Sequence, residues 1–271
     1  MISVNTNAGS LNALQYLNQT VASLQQTEGQ INSGLKVANA KDNGAIFAIA
    51  QNMRGNVAGY QAVTDSLNRG TSVVDTAMSA AQSISDLLIQ MKQNALSAAD
   101  SSLDSTSRTS LANDFSAMSA QITTIVNNAQ FNGVNLINGK TKQISALASA
   151  SDASQRITVL AKTLTVTALA YGSTYSSQTT ASTMVGKIST AIASVNSALS
   201  TLGAGSKKYS IQSDFVGKLS DALTVGIGNL VDANMAQESA MLTSLQTKQQ
   251  LGVQALSIAN QAPSMVLSLF R

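Results

Sequence analysis

The residue types that usually do chemistry are thinly represented in this chain. Cysteine, histidine and tryptophan are absent. Without Cys or His there is no thiol nucleophile, no imidazole base, no HExxH protease site and no conventional zinc ligand set. Serine, lysine and carboxylates remain, and each near-match to a reactive motif fails on spacing. Asp42-Asn43-Gly44 opens like a calcium loop but lacks the alternating ligands and closing Glu of an EF-hand. Asp42 suits an Asx turn or a helix cap instead. LGAGSKK (202–208) offers glycines and lysines without the GxxxxGK[ST] spacing of a phosphate loop. No SxxK or GxSxG stands on a strand-to-helix turn. Asn18-Gln19-Thr20 is a formal glycosylation sequon, but it lies inside a helical heptad. The residues imply no enzyme, no cofactor and no metal.

Charge points the same way. Charged residues make up 11% of the 271-residue chain, against about 25% in ordinary soluble domains. Small polar residues fill the gap, so copies of the chain repel one another weakly. A net charge of +3 with no basic cluster larger than Lys207-Lys208, read as a solvated turn, predicts no nucleic-acid partner. MISVNTNAGS has neither the basic nor the apolar region of a secretory signal. No apolar run is long enough to predict membrane insertion. The expectation is a cytosolic protein, or one exported by a route that leaves its N-terminus uncleaved.

The elements that would position any site are helices. Ile46, Ile49, Met53, Asn56, Tyr60, Val63, Leu67, Gly70, Val74, Ala77, Ala81, Ile84, Leu88, Met91 and Ala95 alternate steps of three and four. Such a seam predicts a helix of roughly 75 Å packed lengthwise on others. The cluster Asp100–Ser105 suits a turn and an N-cap. Helix resumes at Leu111, Phe115, Met118, Ile122, Ile125 and Ala129. FNGVNLINGK (131–140) then supplies two tight-turn signals, Asn132-Gly133 and Asn138-Gly139. ITVLAKTLTVTALA (157–170) alternates in the manner of β-strands, and YGSTYSSQTTAS (171–182) reads as an exposed loop. A further seam, Val185, Ile188, Ile192, Val195, Leu199 and Leu202, is predicted to break at LGAGSKK. Ile211, Phe215, Leu219, Leu223, Ile227 and Leu230 continue beyond it.

The two ends match in kind. Leu14, Leu17, Val21, Leu24, Ile31 and Leu35 fit one heptad register, broken only by Glu28; Leu242, Leu245 and Leu256 fit another, diluted by Gln249 and Gly252. A lone helix with so narrow a stripe is marginal in water, which predicts that the ends pair as a coiled coil. The expected architecture is mainly α: a long antiparallel helical rod over 44–229 with a β-hairpin region about 131–175, and a coiled-coil domain from 1–43 plus 230–271. Between them, about 33–44, lies a connector carrying Asn39, Lys41, Asp42, Asn43 and Gly44. Ends of this kind suit assembly, because a heterologous contact that does not close a ring generates a filament.

INSGLKVANAKDNGAIFAIAQNMR, FNGVNLINGK, the LGA at 202–204, NLVDANMAQES (229–239) and QALSIANQAPSMVLSLF (254–270) together resemble the signatures of bacterial flagellin, in the family's order. The resemblance implies a filament subunit that polymerises with copies of itself, in a short form lacking the outer variable domains. It implies as partners an export chaperone, the type III export apparatus, a cap protein and hook-associated junction proteins, and a place in the secreted flagellum. The alternatives are a hook–filament junction protein, which shares such terminal heptads, and a non-enzymatic helical binding protein. Two departures stand out. Gly44-Ala45-Ile46-Phe47 is bulkier than the family's Ala-Ala-Gly-Leu run, and Asn234 replaces an Asp. Some flagellins are detected by an innate immune receptor through an Arg-Glu-Leu and a Glu. Those positions are Lys92-Gln93-Asn94 and Asp114 here, which predicts weak recognition.

Overall fold

Helices dominate residues 6–268, which the structure, a computed structural model, describes. In chain order these are α1 (Ala8–Ser33), α2 (Gly44–Ala98), α3 (Ser105–Asn128), β1 (Gln143–Leu147), β2 (Arg156–Leu160), α4 (Val166–Leu169), α5 (Gln178–Val231) and α6 (Met235–Ser268). Two units separate: residues up to Gly55 with those from Ala222 onward, and Asn56–Asp221.

In the Asn56–Asp221 unit, the α2 seam is the spine. Val63, Leu67, Val74, Ala77, Ala81, Ile84, Leu88, Met91 and Ala95 are all essentially solvent-free. On α3 the buried face is Ala112, Phe115, Ser119, Ile122 and Val126. Leu111, Met118 and Ile125 flank it half-buried, so the true core line sits one residue off the expected one at three positions. Helices α2 and α5 run antiparallel: the Gln178 amide donates to the Ala99 carbonyl, and Gly70 meets the ring of Tyr209. The turn between α2 and α3 closes on Arg108, whose guanidinium donates to the carbonyls of Ala98, Asp100 and Leu103. Asp104 caps α3 by accepting from Thr106 N and Ser107 N. The hydrogen bonds from Ser107 hold its carboxyl below the usual aspartate range.

Five local expectations need correction. Of the seam expected beyond LGAGSKK, Ile211 and Phe215 are exposed, and Tyr209 and Val216 take the buried face of α5 there, because that side of the helix meets the hairpin through the Tyr209 hydroxyl. LGAGSKK does not interrupt a helix: α5 runs unbroken through it, and Lys207 and Lys208 are exposed on helix, not on a turn. The glycine there serves contact, because a Cβ on Gly205 would lie 2.6 Å from Val159 of the hairpin. Strand structure covers only Arg156–Leu160 of the alternating segment, paired antiparallel with Gln143–Leu147. Val166–Leu169 forms a single helical turn instead, with Thr165 accepting from Ala168 N. The segment after it is not simply an exposed loop. Tyr171 and Tyr175 are buried, both edge-on to Phe115, at centroid separations of 6.4 and 5.2 Å. Finally, only one Asn-Gly pair makes the tight turn. Asn132 and Gly133 both have positive φ (48° and 79°), and Phe131 and Val134 exchange two backbone hydrogen bonds across them. At Asn138-Gly139 only the glycine has positive φ, and Asn138 accepts from Lys140 N.

The hairpin lies in a bed of small residues. Gly59 abuts Ala150, and the Tyr209 hydroxyl donates to the carbonyls of Ile144 and Ile157. Ser66 accepts from Leu147 N and the Gln212 amide donates to Ala148 O. Buried Asn135 joins α3 to the next loop, donating to Val126 O and accepting from Ile137 N and Asn138 N.

In the other unit, α1 and α6 pack antiparallel. Asn7 donates to Ala259 O and Ser10 to Asn260 at one end, Gly252 touches Leu17, and Leu35 bridges Asp232 at the other. A second small core joins Val37, Ala50 and Val231, with Leu35, Ile46, Phe47, Ile227 and Leu230 packed on it.

Gly205→Ala must push the hairpin aside, and overpacking of this kind costs about 1–3 kcal/mol. Gly217, on the same helix with nothing within 4 Å of its absent Cβ, should instead gain up to about 1 kcal/mol as Ala. Urea melts of the two variants are expected to move in opposite directions. Burial pushes the Tyr175 hydroxyl up to about 12, with Asp114 adding to the rise. Because the folded chain then holds a proton that the unfolded chain loses near 10, this contribution is intact below pH 10 and is lost as pH rises towards 12. Alkaline melts should show that fall, and Tyr175→Phe should flatten it.

Candidate assembly surface

The residues expected to form the assembly seam are brought together, but unequally. Leu24 and Leu245 are buried between α1 and α6. Leu17, Val21, Ile31, Leu35, Leu242 and Leu256 are half-buried. Leu14 remains 43% exposed. Gly252, which dilutes the C-terminal seam, is the point where Leu17 comes closest: a Cβ there would lie 3.1 Å from its methyl. Thr27 is buried on α1 without having been legible, because its hydroxyl does not mark an apolar stripe.

More important is what this pairing leaves uncovered. Leu11, Tyr16, Met241, Leu251, Val253 and Ile258 are all 45% exposed or more. Each is apolar and falls outside the paired seam. They lie off the heptad register, so no periodicity in the sequence marks them. No group of three or more acidic residues placed to hold a metal ion occurs among the described residues. Nor is any described helix long and apolar enough to cross a membrane.

The segment from Gly34 to Gly44 is built from backbone hydrogen bonds. Helix α1 ends on Gly34 with φ 72°, a left-handed cap that glycine adopts without a steric penalty. Lys36 N and Val37 N donate to Val231 O at 2.7 and 3.2 Å, and Ala233 N donates to Gly34 O at 2.9 Å. The Asp42 carboxylate accepts from Ala38 N and Asn39 N, and Asn39 accepts from Lys41 N. Asn43, rather than Asp42, caps α2 by accepting from Ile46 N at 3.1 Å. Lys41 and Gly44 are exposed. The bulky Ile46 and Phe47 pack against the Val37, Ala50 and Val231 core. Asn234 caps α6, accepting from Gln237 N, so loss of the acidic charge there leaves the cap intact.

The receptor-like positions sit on the other unit. Lys92 is half-buried, Gln93 and Asp114 are exposed, and Asn94 accepts a 2.5 Å hydrogen bond from the Tyr175 hydroxyl.

Comparison with known proteins agrees with these features. The bacterial flagellin N-terminal helical region matches residues 4–142, and the bacterial flagellin C-terminal helical region matches residues 185–270. The end of the C-terminal motif, Leu269 and Phe270, lies outside the described residues. Flagellin FljM of Caulobacter vibrioides is 51% identical, over 99% of this chain and 98% of its own length. Flagellin FljK of the same organism is 49% identical over the same shares. A flagellin of Brucella melitensis is 36% identical over the full length of both chains. Among solved structures, Bacillus cereus flagellin superposes with a TM-score of 0.50 at 24% identity, over 55% of this chain and 86% of that one, a likeness of fold. The chain belongs to the bacterial flagellin family and is a structural, non-enzymatic subunit of the flagellar filament.

Proposed function

We propose that the unit built from α1 and α6 is the inner, polymerising part of the subunit, that the Gly34–Gly44 segment is its connector, and that the Asn56–Asp221 unit is the outer rod domain. One observation carries this reading: apolar residues on both terminal helices stay exposed after the two helices have paired. In water this leaves the pair incompletely covered, and neighbouring copies supply the missing cover. Low charge supports it, since identical surfaces with few ions approach at little electrostatic cost. In the cell the subunit passes unfolded through the type III export apparatus with a chaperone, then adds beneath a cap protein to a filament seated on hook-associated junction proteins.

Leu17→Asp or Leu245→Asp places a carboxylate in the α1–α6 seam, where an unpaired buried charge is strongly disfavoured. Either variant should lose polymerisation while the Asn56–Asp221 unit keeps its helical signal and cooperative melt. Normal-length filaments from either variant would contradict the reading. Recognition by the innate receptor should be weak as well, because Asn94 is tied to Tyr175 where the family has a leucine. A cell reporter responding at full potency would refute that.

A further inference from the structure

We propose that Phe215 on α5 of one subunit seats in the groove beside Phe131 of a neighbouring copy, with Ile211 packed against the groove's rim. This rests on the filament reading and names one of its contacts. Both residues lie in the Asn56–Asp221 unit, one helical turn apart, and are 59% and 56% exposed. The core face of α5 at that level is made by Tyr209 and Val216, so Ile211 and Phe215 point away from it. Two large apolar side chains projecting side by side from a helix otherwise faced with Ser, Gln, Asp and Lys form a knob that the folded chain leaves unused.

The same unit carries a socket. Arg69, Gly70 and Val73 of α2, with Phe131, Val134 and Ile144, line an open groove of about 190 Å³. Gly70 lets the buried Tyr209 ring pack directly on α2 beside the groove, because a Cβ there would lie 2.9 Å from that ring. Phe131, at one end of the tight turn, stands 39% exposed as an aromatic wall. An apolar cavity of about 150 Å³ holds one benzene ring, so the groove has room for one aromatic side chain. Charge matches too. Asp214 adjoins the knob and Arg69 lines the groove; both are exposed, and neither has an ionic partner among the described residues. Knob and socket are different patches of one chain. A contact between them is therefore heterologous and propagates from copy to copy instead of closing a symmetric dimer.

The native chain has no cysteine, so introduced thiols report on this contact alone. Ser145 lines the same groove. A Phe215→Cys, Ser145→Cys double variant, polymerised and treated with copper–phenanthroline, should give a ladder of covalent multimers on a non-reducing gel. Each single variant should stop at dimers. Independently, Phe215→Ala should raise the critical concentration for polymerisation about tenfold or more, the scale of one truncated buried aromatic. Its thermal melt should be unchanged, since the side chain is exposed in the free subunit. Filaments without a ladder, or Phe215→Ala polymerising at the parental concentration, would overturn the knob-and-socket contact and leave the filament reading standing. Failure of the parent chain to polymerise at all would overturn both.

Discussion

A helix whose apolar stripe is only one or two residues wide gains too little from burial to stand alone in water. Both terminal helices are of this kind, and much of the molecule's behaviour depends on it. Pairing α1 with α6 covers one stripe, centred on Leu24 and Leu245, and leaves other apolar side chains open at Leu11, Tyr16, Leu251 and Ile258. On the proposed reading, neighbouring copies cover what this pairing leaves open. A subunit whose ends are finished by its neighbours needs no ligand or catalytic group to drive assembly.

The Asn56–Asp221 unit solves the opposite problem. Its long α2 seam and the first half of α5 are covered within the chain, with Leu67, Ile84, Leu88, Met91 and Ile188 fully buried. Its specificity comes from close contacts at glycine. Gly59, Gly70 and Gly205 each lie where a Cβ would collide with Ala150, Tyr209 or Val159. These contacts, with the Tyr209, Gln212 and Ser66 hydrogen bonds, hold a two-stranded hairpin that would be marginal by itself. The long seam of this unit is thus covered by packing within the chain, whereas the paired terminal helices keep much of their apolar surface exposed.

Helix periodicity made most of this legible. The long α2 seam from Val63 to Ala95, the Asp104 cap and the Asn132-Gly133 turn all follow from residue types and spacing. The failures share one cause, which is tertiary contact overriding local preference. LGAGSKK looks like a helix breaker, yet its glycine admits Val159 and the helix continues. Tyr171 and Tyr175 sit in a Ser/Thr-rich run that reads as loop, and only the distant Phe115 shows why they turn inward. Asn135 passes as the neighbour of a turn signal, although its side chain ties α3 to the segment that follows. At the assembly surface the heptad residues were recognisable. The apolar residues left open were not, because side chains off register carry no periodic signal.

The most direct test is hydrogen exchange followed by mass spectrometry on the free subunit and on the filament. Peptides from α1 and α6 should exchange fast in the free subunit and be strongly protected in the filament, while those from Val63–Ala95 stay protected in both. Equal protection of α1 and α6 in the two states would show that the terminal helices complete themselves, contrary to this account.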